Sequence, residues 1–161
     1  MTGRVHLYDI DNIDTDRIIP GKYTKTLDVS IFADHCLEDL DSDFKHKVQQ
    51  GDVLVAGWNF GCGSSREQAP IALKVSGISV VIARSFSRIF YRNAINIGLP
   101  ILETPDHTIA DGASLEIDLE SGKVYDGNTE YSASPLPQIM IDILNEGGLV
   151  SYLKKHRTYT F

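Results

Sequence analysis

The chain has 161 residues, 42% hydrophobic and 23% charged, enough for one compact domain with a packed core. A net charge of -7 argues against nucleic acid as a partner, and no apolar run approaches the length of a membrane span. The only two cysteines, Cys36 and Cys62, exclude a disulfide framework, a zinc site and an iron–sulfur cluster held by this chain alone.

Arg4 to Tyr8 alternates apolar and polar residues and predicts a first strand. The N-terminus before it lacks the apolar core of a signal peptide, which predicts a cytoplasmic protein. Residues 9–17 are dense in carboxylates. Asp and Asn favour turns because their side chains bond nearby backbone, and the glycine and closing glutamate of a calcium loop are missing. A solvated turn without metal is the simplest expectation there. Pro20-Gly21 then marks a loop carrying Lys22, Tyr23, Thr24 and Lys25. Asp28 or Ser30 can cap a helix through Phe32 and Leu37, and residues 38–43 read as an acidic, solvated connection.

Asp52 to Gly57 is strand-like and leads into Asn59-Phe60-Gly61-Cys62-Gly63-Ser64-Ser65-Arg66-Glu67, with a helix expected from about Ser65. The paired glycines allow a sharp turn, free N–H groups at a helix start favour an anion, and Arg66 suits a carboxylate. The same residues also fit a capping box, with Ser64 as cap and Glu67 reaching back. Pro70 then implies either a kink or a helix whose regular part starts later. Cys62 is either a reactive thiol or a small buried hydrophobe.

Ile78 to Ala83 is a nearly continuous β-branched run, as in a strand buried on both faces. Ser85 to Gly98 predicts an amphipathic helix with Phe86, Ile89, Phe90, Ala94 and Ile97 inward. Arg84, Arg92, Asn93 and Asn96 either frame a ligand crevice after the strand or form a solvated face. Pro100 to Leu102 starts another strand, completing an α/β unit with parallel pairing. Beyond Ala113, alternation and turn pairs predict a small antiparallel patch, then a helix through Leu136–Leu144 and a last short helix. No repeat or long linker divides residues 1–161, so a single domain is expected.

The five histidines are scattered, and Gly61-Cys62-Gly63-Ser64-Ser65 does not match the Gly-x-Ser-x-Gly elbow of hydrolases. The residues alone thus reach an anion-binding α/β domain, whether catalytic or a regulatory carboxylate- or phosphate-binding module.

Three segments together resemble the small, swivelling subunit of the aconitase superfamily, the iron–sulfur hydro-lyases that include isopropylmalate dehydratase and homoaconitase. They are residues 11–21, residues 57–67 and residues 83–96, in the family's order and spacing. The resemblance implies a three-layer β/β/α swivelling domain and catalysis shared with a large subunit. That partner would carry the 4Fe–4S cluster, with no metal bound by this chain. By position, it implies Ser64 as the base that removes a proton beside a carboxylate and Asp16 as a second active-site group. Ser65 and Arg66 would hold the substrate carboxylate. Tyr23, Thr24 and Lys25 would lie against the variable arm of a di- or tricarboxylate. Apolar residues there suit an isopropyl group and an arginine suits an extra carboxylate; Tyr23-Thr24-Lys25-Thr26 departs from both patterns. Isopropylmalate is the expected substrate, with a homoaconitase-type or methyl-substituted malate substrate as the alternatives.

Overall fold

The computed structural model describes residues 1–156. Seven strands form one sheet in the order β4-β3-β2-β1-β5-β6-β7. The strands are β1 (Thr2–Tyr8), β2 (Asp52–Ala56), β3 (Ile78–Ala83), β4 (Ile101–Glu103), β5 (Ser114–Asp118), β6 (Lys123–Asp126) and β7 (Thr129–Ser132). Pairing is parallel from β4 to β1 and antiparallel from β1 through β5 to β7. The antiparallel patch is therefore an extension of the main sheet, joined to it where Gly3 lies opposite Leu115.

The period-2 rule explains the layers. In β2 and β3, Leu54, Ala56, Val81 and Ala83 face one hydrophobic cluster, while Val53, Val55, Val80 and Ile82 face the other. The first cluster is covered by helices and includes Phe32, Phe44, Leu73 and Phe90. In the second, Leu115, Ile117 and Val124 pack against those same parallel strands, so the sheet curls back over its own face. This is the expected three-layer β/β/α arrangement, and the β3 run is buried because both faces are covered.

The helices are α1 (Thr15–Ile18), α2 (Val29–His35), α3 (Phe44–Lys47), α4 (Gln68–Ser76), α5 (Arg88–Asn96), α6 (Gln138–Asn145) and α7 (Leu149–His156). Two short ones, α1 and α3, escaped the sequence. Asp14 caps α1 by accepting from the Arg17 N–H at 2.9 Å, and Ile18 and Ile19 behind it are fully buried. The acidic stretch is thus anchored at its end by two core side chains. Residues 38–43 are likewise tied down, with Asp41 accepting from the Tyr8 hydroxyl at 2.8 Å and from Lys47. Helix α5 starts at Arg88, capped by the Ser87 hydroxyl, and its buried stripe is Phe90, Ala94 and Ile95. Ile89, expected inward, is 46% exposed because it sits about 100° round the helix from Phe90, on the side away from Ala94 and Ile95.

One buried group has a measurable consequence. His107, 4% exposed, leaves Nε2 without a hydrogen-bond partner among the described residues. Burial, and after it the positive charge of Arg84, holds its pKa below the ordinary histidine value. Protonation therefore favours the unfolded chain. The stability contribution is fully present above the unfolded pKa of about 6.5 and is lost as pH falls through the lower folded value. In thermal melts between about pH 7 and about pH 5, His107→Gln should show a shallower loss of stability than the wild type. Parallel pH profiles would remove His107 from this role.

Candidate active site

The three segments 11–17, 57–67 and 84–92 meet beyond the carboxyl ends of β1, β2 and β3, where open α/β sheets place their ligands. Backbone hydrogen bonds stitch them together. The Asn12 N–H donates to Trp58 O at 2.8 Å, Gly61 N–H to Ile13 O at 2.7 Å, and Thr15 N–H to Cys62 O at 2.9 Å. On the other side, Phe60 N–H donates to Ser85 O and Ser87 N–H to Phe60 O, each at 3.0 Å. The Ser85 hydroxyl accepts from Asn59 N–H at 2.8 Å, and the Ser87 hydroxyl donates to Gly61 O at 2.8 Å. The strand-to-turn passage at residues 59–62 is fixed from both flanks.

Side chains of the acidic stretch do the same work. Asp11 accepts from Trp58 N–H at 2.9 Å, and Asn59 donates through its amide to Asn12 Oδ1 at 2.9 Å. Both asparagines are in the left-handed region, with φ of 57° and 56°, conformations that Asn tolerates better than most residues. The expectation of a merely solvated turn is corrected here. These carboxylates and amides satisfy backbone donors of a neighbouring loop, contacts about 47 positions apart in sequence that local propensity does not encode.

The turn itself differs from expectation. Helix α4 begins at Gln68, and neither Ser64 nor Glu67 makes a side-chain capping bond. The capping-box reading fails because Pro70 occupies the third position of the helix, inside the first turn where its missing N–H costs nothing. Residues 63–66 stand ahead of the helix as an open turn. Ser64 and Ser65 are exposed, and the N–H groups of Ser64, Ser65 and Arg66 have no acceptor among the described residues. The free donors thus come from the turn itself. The Thr15 hydroxyl steadies it by donating to Ser64 O at 2.9 Å.

Arg66 is ion-paired to Asp16 through Nη1 and Oδ1, with Arg66 the more enclosed partner. A Cβ placed on Gly21 would lie 2.8 Å from Arg66 Nη1, so the missing side chain leaves room for the guanidinium. Asp16, Ser64, Ser65 and Arg66 therefore belong to one constellation, assembled from segments about 50 positions apart. Pairing with Asp16 aims the planar fork while leaving other donors for a bound carboxylate.

The rest of the expected set is placed differently. The Tyr23 ring stacks on His35 at 3.8 Å, and the Thr24 hydroxyl donates to Gly21 O at 2.8 Å. Lys25 is exposed and carries no hydrogen-bond or ion-pair partner among the described residues. Arg84 is committed elsewhere, to Asp9, Pro105 O and His107 O. Arg92 and Asn96 line a separate trough between α5 and α6. Cys62 is half-buried, and burial together with the charge of Asp14 pushes its thiol up, the opposite of an activated thiolate. Thr15, Asn12 and Gly21 were missed as supporting residues. Their partners are distant in sequence, and no spacing rule reveals them.

No cluster of three His, Cys, Asp or Glu side chains suited to a metal occurs among the described residues, and Cys36 is buried with its thiol pushed up to about 12. These residues do not fit a 4Fe–4S cluster as their own cofactor. No helix among the described residues is long and apolar enough to cross a membrane.

Comparison with known proteins adds a consistent set of relatives. The family model for the aconitase C-terminal domain matches residues 1–107. The 3-isopropylmalate dehydratase small subunit of Caldicellulosiruptor saccharolyticus is 55% identical over 156 residues, covering 94% of this chain and 90% of the relative. Small subunit 1 of the same enzyme from Methanopyrus kandleri is 52% identical over 155 residues, covering 94% and 91%. The crystal structure of 3-isopropylmalate dehydratase from Methanocaldococcus jannaschii superposes with a TM-score of 0.91 at 49% identity, covering 97% of this chain and 94% of that one.

Proposed function

The chain belongs to the aconitase C-terminal domain family, and we propose from that premise that it is the small subunit of a 3-isopropylmalate dehydratase. The observation that carries the residue roles is the constellation of Asp16, Ser64, Ser65 and Arg66 on an open turn with free amides. The reaction is reversible loss and re-addition of water on a hydroxy dicarboxylic acid. Ser64 takes the proton from the carbon next to a carboxylate. A serine is a poor base unless its alkoxide is stabilised, and the free turn amides beside it, with the Arg66 guanidinium, are donors of the required kind. Arg66 and Ser65 hold the carboxylate, and Asp16 orients Arg66.

Enzymes of this family use a 4Fe–4S cluster; it and departure of the hydroxyl belong to the large subunit in this reading, because this chain lacks the thiolates. Closure of the small subunit over the large one would shield the site from water. The variable arm of the substrate meets the loop after Pro20, where exposed Lys25 accommodates either an apolar arm along its stem or a further carboxylate at its head.

The test is reconstitution under anaerobic conditions with a cluster-bearing large subunit, followed by ultraviolet detection of alkene from isopropylmalate, homocitrate and methyl-substituted malates. Activity requiring both chains and highest on isopropylmalate is expected. Activity of this chain alone, or none with any large subunit, would refute the subunit role. Preference for homocitrate would reassign the substrate and point to Lys25 as the reader of the extra carboxylate.

A further inference from the structure

A trough of about 630 Å³ runs between α5 and α6. Its apolar surface comes from Phe86, Tyr91 and Ile95 on one side and Ile139, Met140 and Ile143 on the other. Arg88 and Arg92 stand on its rim one helical turn apart. Both are exposed, and neither has an ion-pair or hydrogen-bond partner among the described residues. Both stay free in a chain with 22 acidic residues against 15 lysines and arginines. The one acid in the lining, Glu103, is turned to the backbone and accepts from Phe86 N–H at 3.2 Å.

We propose that this trough docks an apolar segment of the large subunit that carries acidic side chains, an inference that rests on the subunit reading above. The apolar lining supplies burial, and two unpaired guanidiniums supply charge complementarity to an acidic partner. A small-molecule site would instead enclose its polar anchors, whereas these arginines lie on an open rim. The trough is separate from the site but adjoins it through one residue. Phe86 lines it and pairs with Phe60 across the bridge that leads into the serine turn. A segment seated there would set the position of that turn against the partner.

The test uses the full chain and its large subunit under anaerobic conditions. The double variant Arg88→Glu, Arg92→Glu should keep its fold, because both residues are exposed and an acid at position 88, the first of the helix, is favoured by its dipole. Its Kd for the large subunit is expected to rise about 30-fold or more. Its association should also depend less on salt, with kcat at saturating subunit unchanged. Ile139→Asn should weaken association without altering the salt slope. Equal affinity of wild type and double variant would overturn the docking site and leave the subunit reading intact. Failure of the wild type to associate would sink both. Two other results reassign the trough and so overturn the proposal. One is a self-associated wild type dispersed by the double substitution with large-subunit affinity unchanged. The other is hexanoate bound by the wild type alone, again with that affinity unchanged.

Discussion

Replacing Ser64 by alanine is expected to lower turnover of the assembled enzyme by about 1,000-fold, a mid-range value for loss of a positioned general base. The affinity between subunits and the fold should not change. Ser64 is exposed, and among the described residues its one hydrogen bond is through its backbone carbonyl, which accepts from Thr15. Removing the hydroxyl therefore deletes no packing and breaks no hydrogen bond of the resting chain. The loss should fall on kcat, with KM changed little, because Arg66 and its pairing to Asp16 remain in place. A variant retaining near-normal kcat would take the base role away from Ser64. A variant that fails to associate would show that the turn serves docking first and chemistry second.

The second large effect is structural. Gly61→Ala should destabilise the protein by about 3 kcal/mol, summing overpacking and a left-handed backbone penalty. Gly61 has φ of 77° and is buried, and a Cβ there would overlap the Phe90 ring. The ring cannot yield, since Phe90 is 1% exposed and packs edge-on to Phe60 at 5.1 Å and parallel to Phe86 at 6.0 Å. For a domain of this size the melting temperature should drop by roughly 6–12 °C. Because Gly61 N–H holds Ile13 O and Gly61 O accepts from Ser87, activity of the surviving folded fraction should fall as well. An unchanged melt would mean that the aromatic cluster is softer than its packing implies. By comparison, Gly63→Ala meets only ordinary contacts, Asp14 Cβ at 3.4 Å and Thr15 Oγ1 at 3.8 Å, so it should carry mainly the backbone cost.

The elements legible in the sequence were those with strong periodicity. Strand β3, the α4 region closed by Gly77, and the stripe that became α6 all follow from spacing and side-chain type. What escaped was everything decided by distant partners. Four-residue α1 has too few positions to show a period, and what holds it is Asp14 together with the burial of Ile18. The start of α4 was misplaced by three residues, because Ser64 and Glu67 satisfy a local capping pattern that Pro70 overrides by holding the first turn to Gln68 onward. The site shows the same division. Ser64, Ser65 and Arg66 were visible as neighbours in the chain and Asp16 only through family resemblance; its pairing to Arg66 closes a gap of 50 positions.

The place of β1 in the sheet also bears on how the chain is made. This strand leaves the ribosome before the other six, yet Val5 pairs with Val53 on one edge and Gly3 with Leu115 on the other. Its second edge stays unpaired until β5 emerges, several seconds later at elongation rates of about 5–20 residues per second. During that interval a strand with free N–H and C=O groups along one edge is open to pairing with other nascent chains. Slow decoding before β5 should therefore promote aggregation, and holdase chaperones should act on fragments that end between residues 56 and 114.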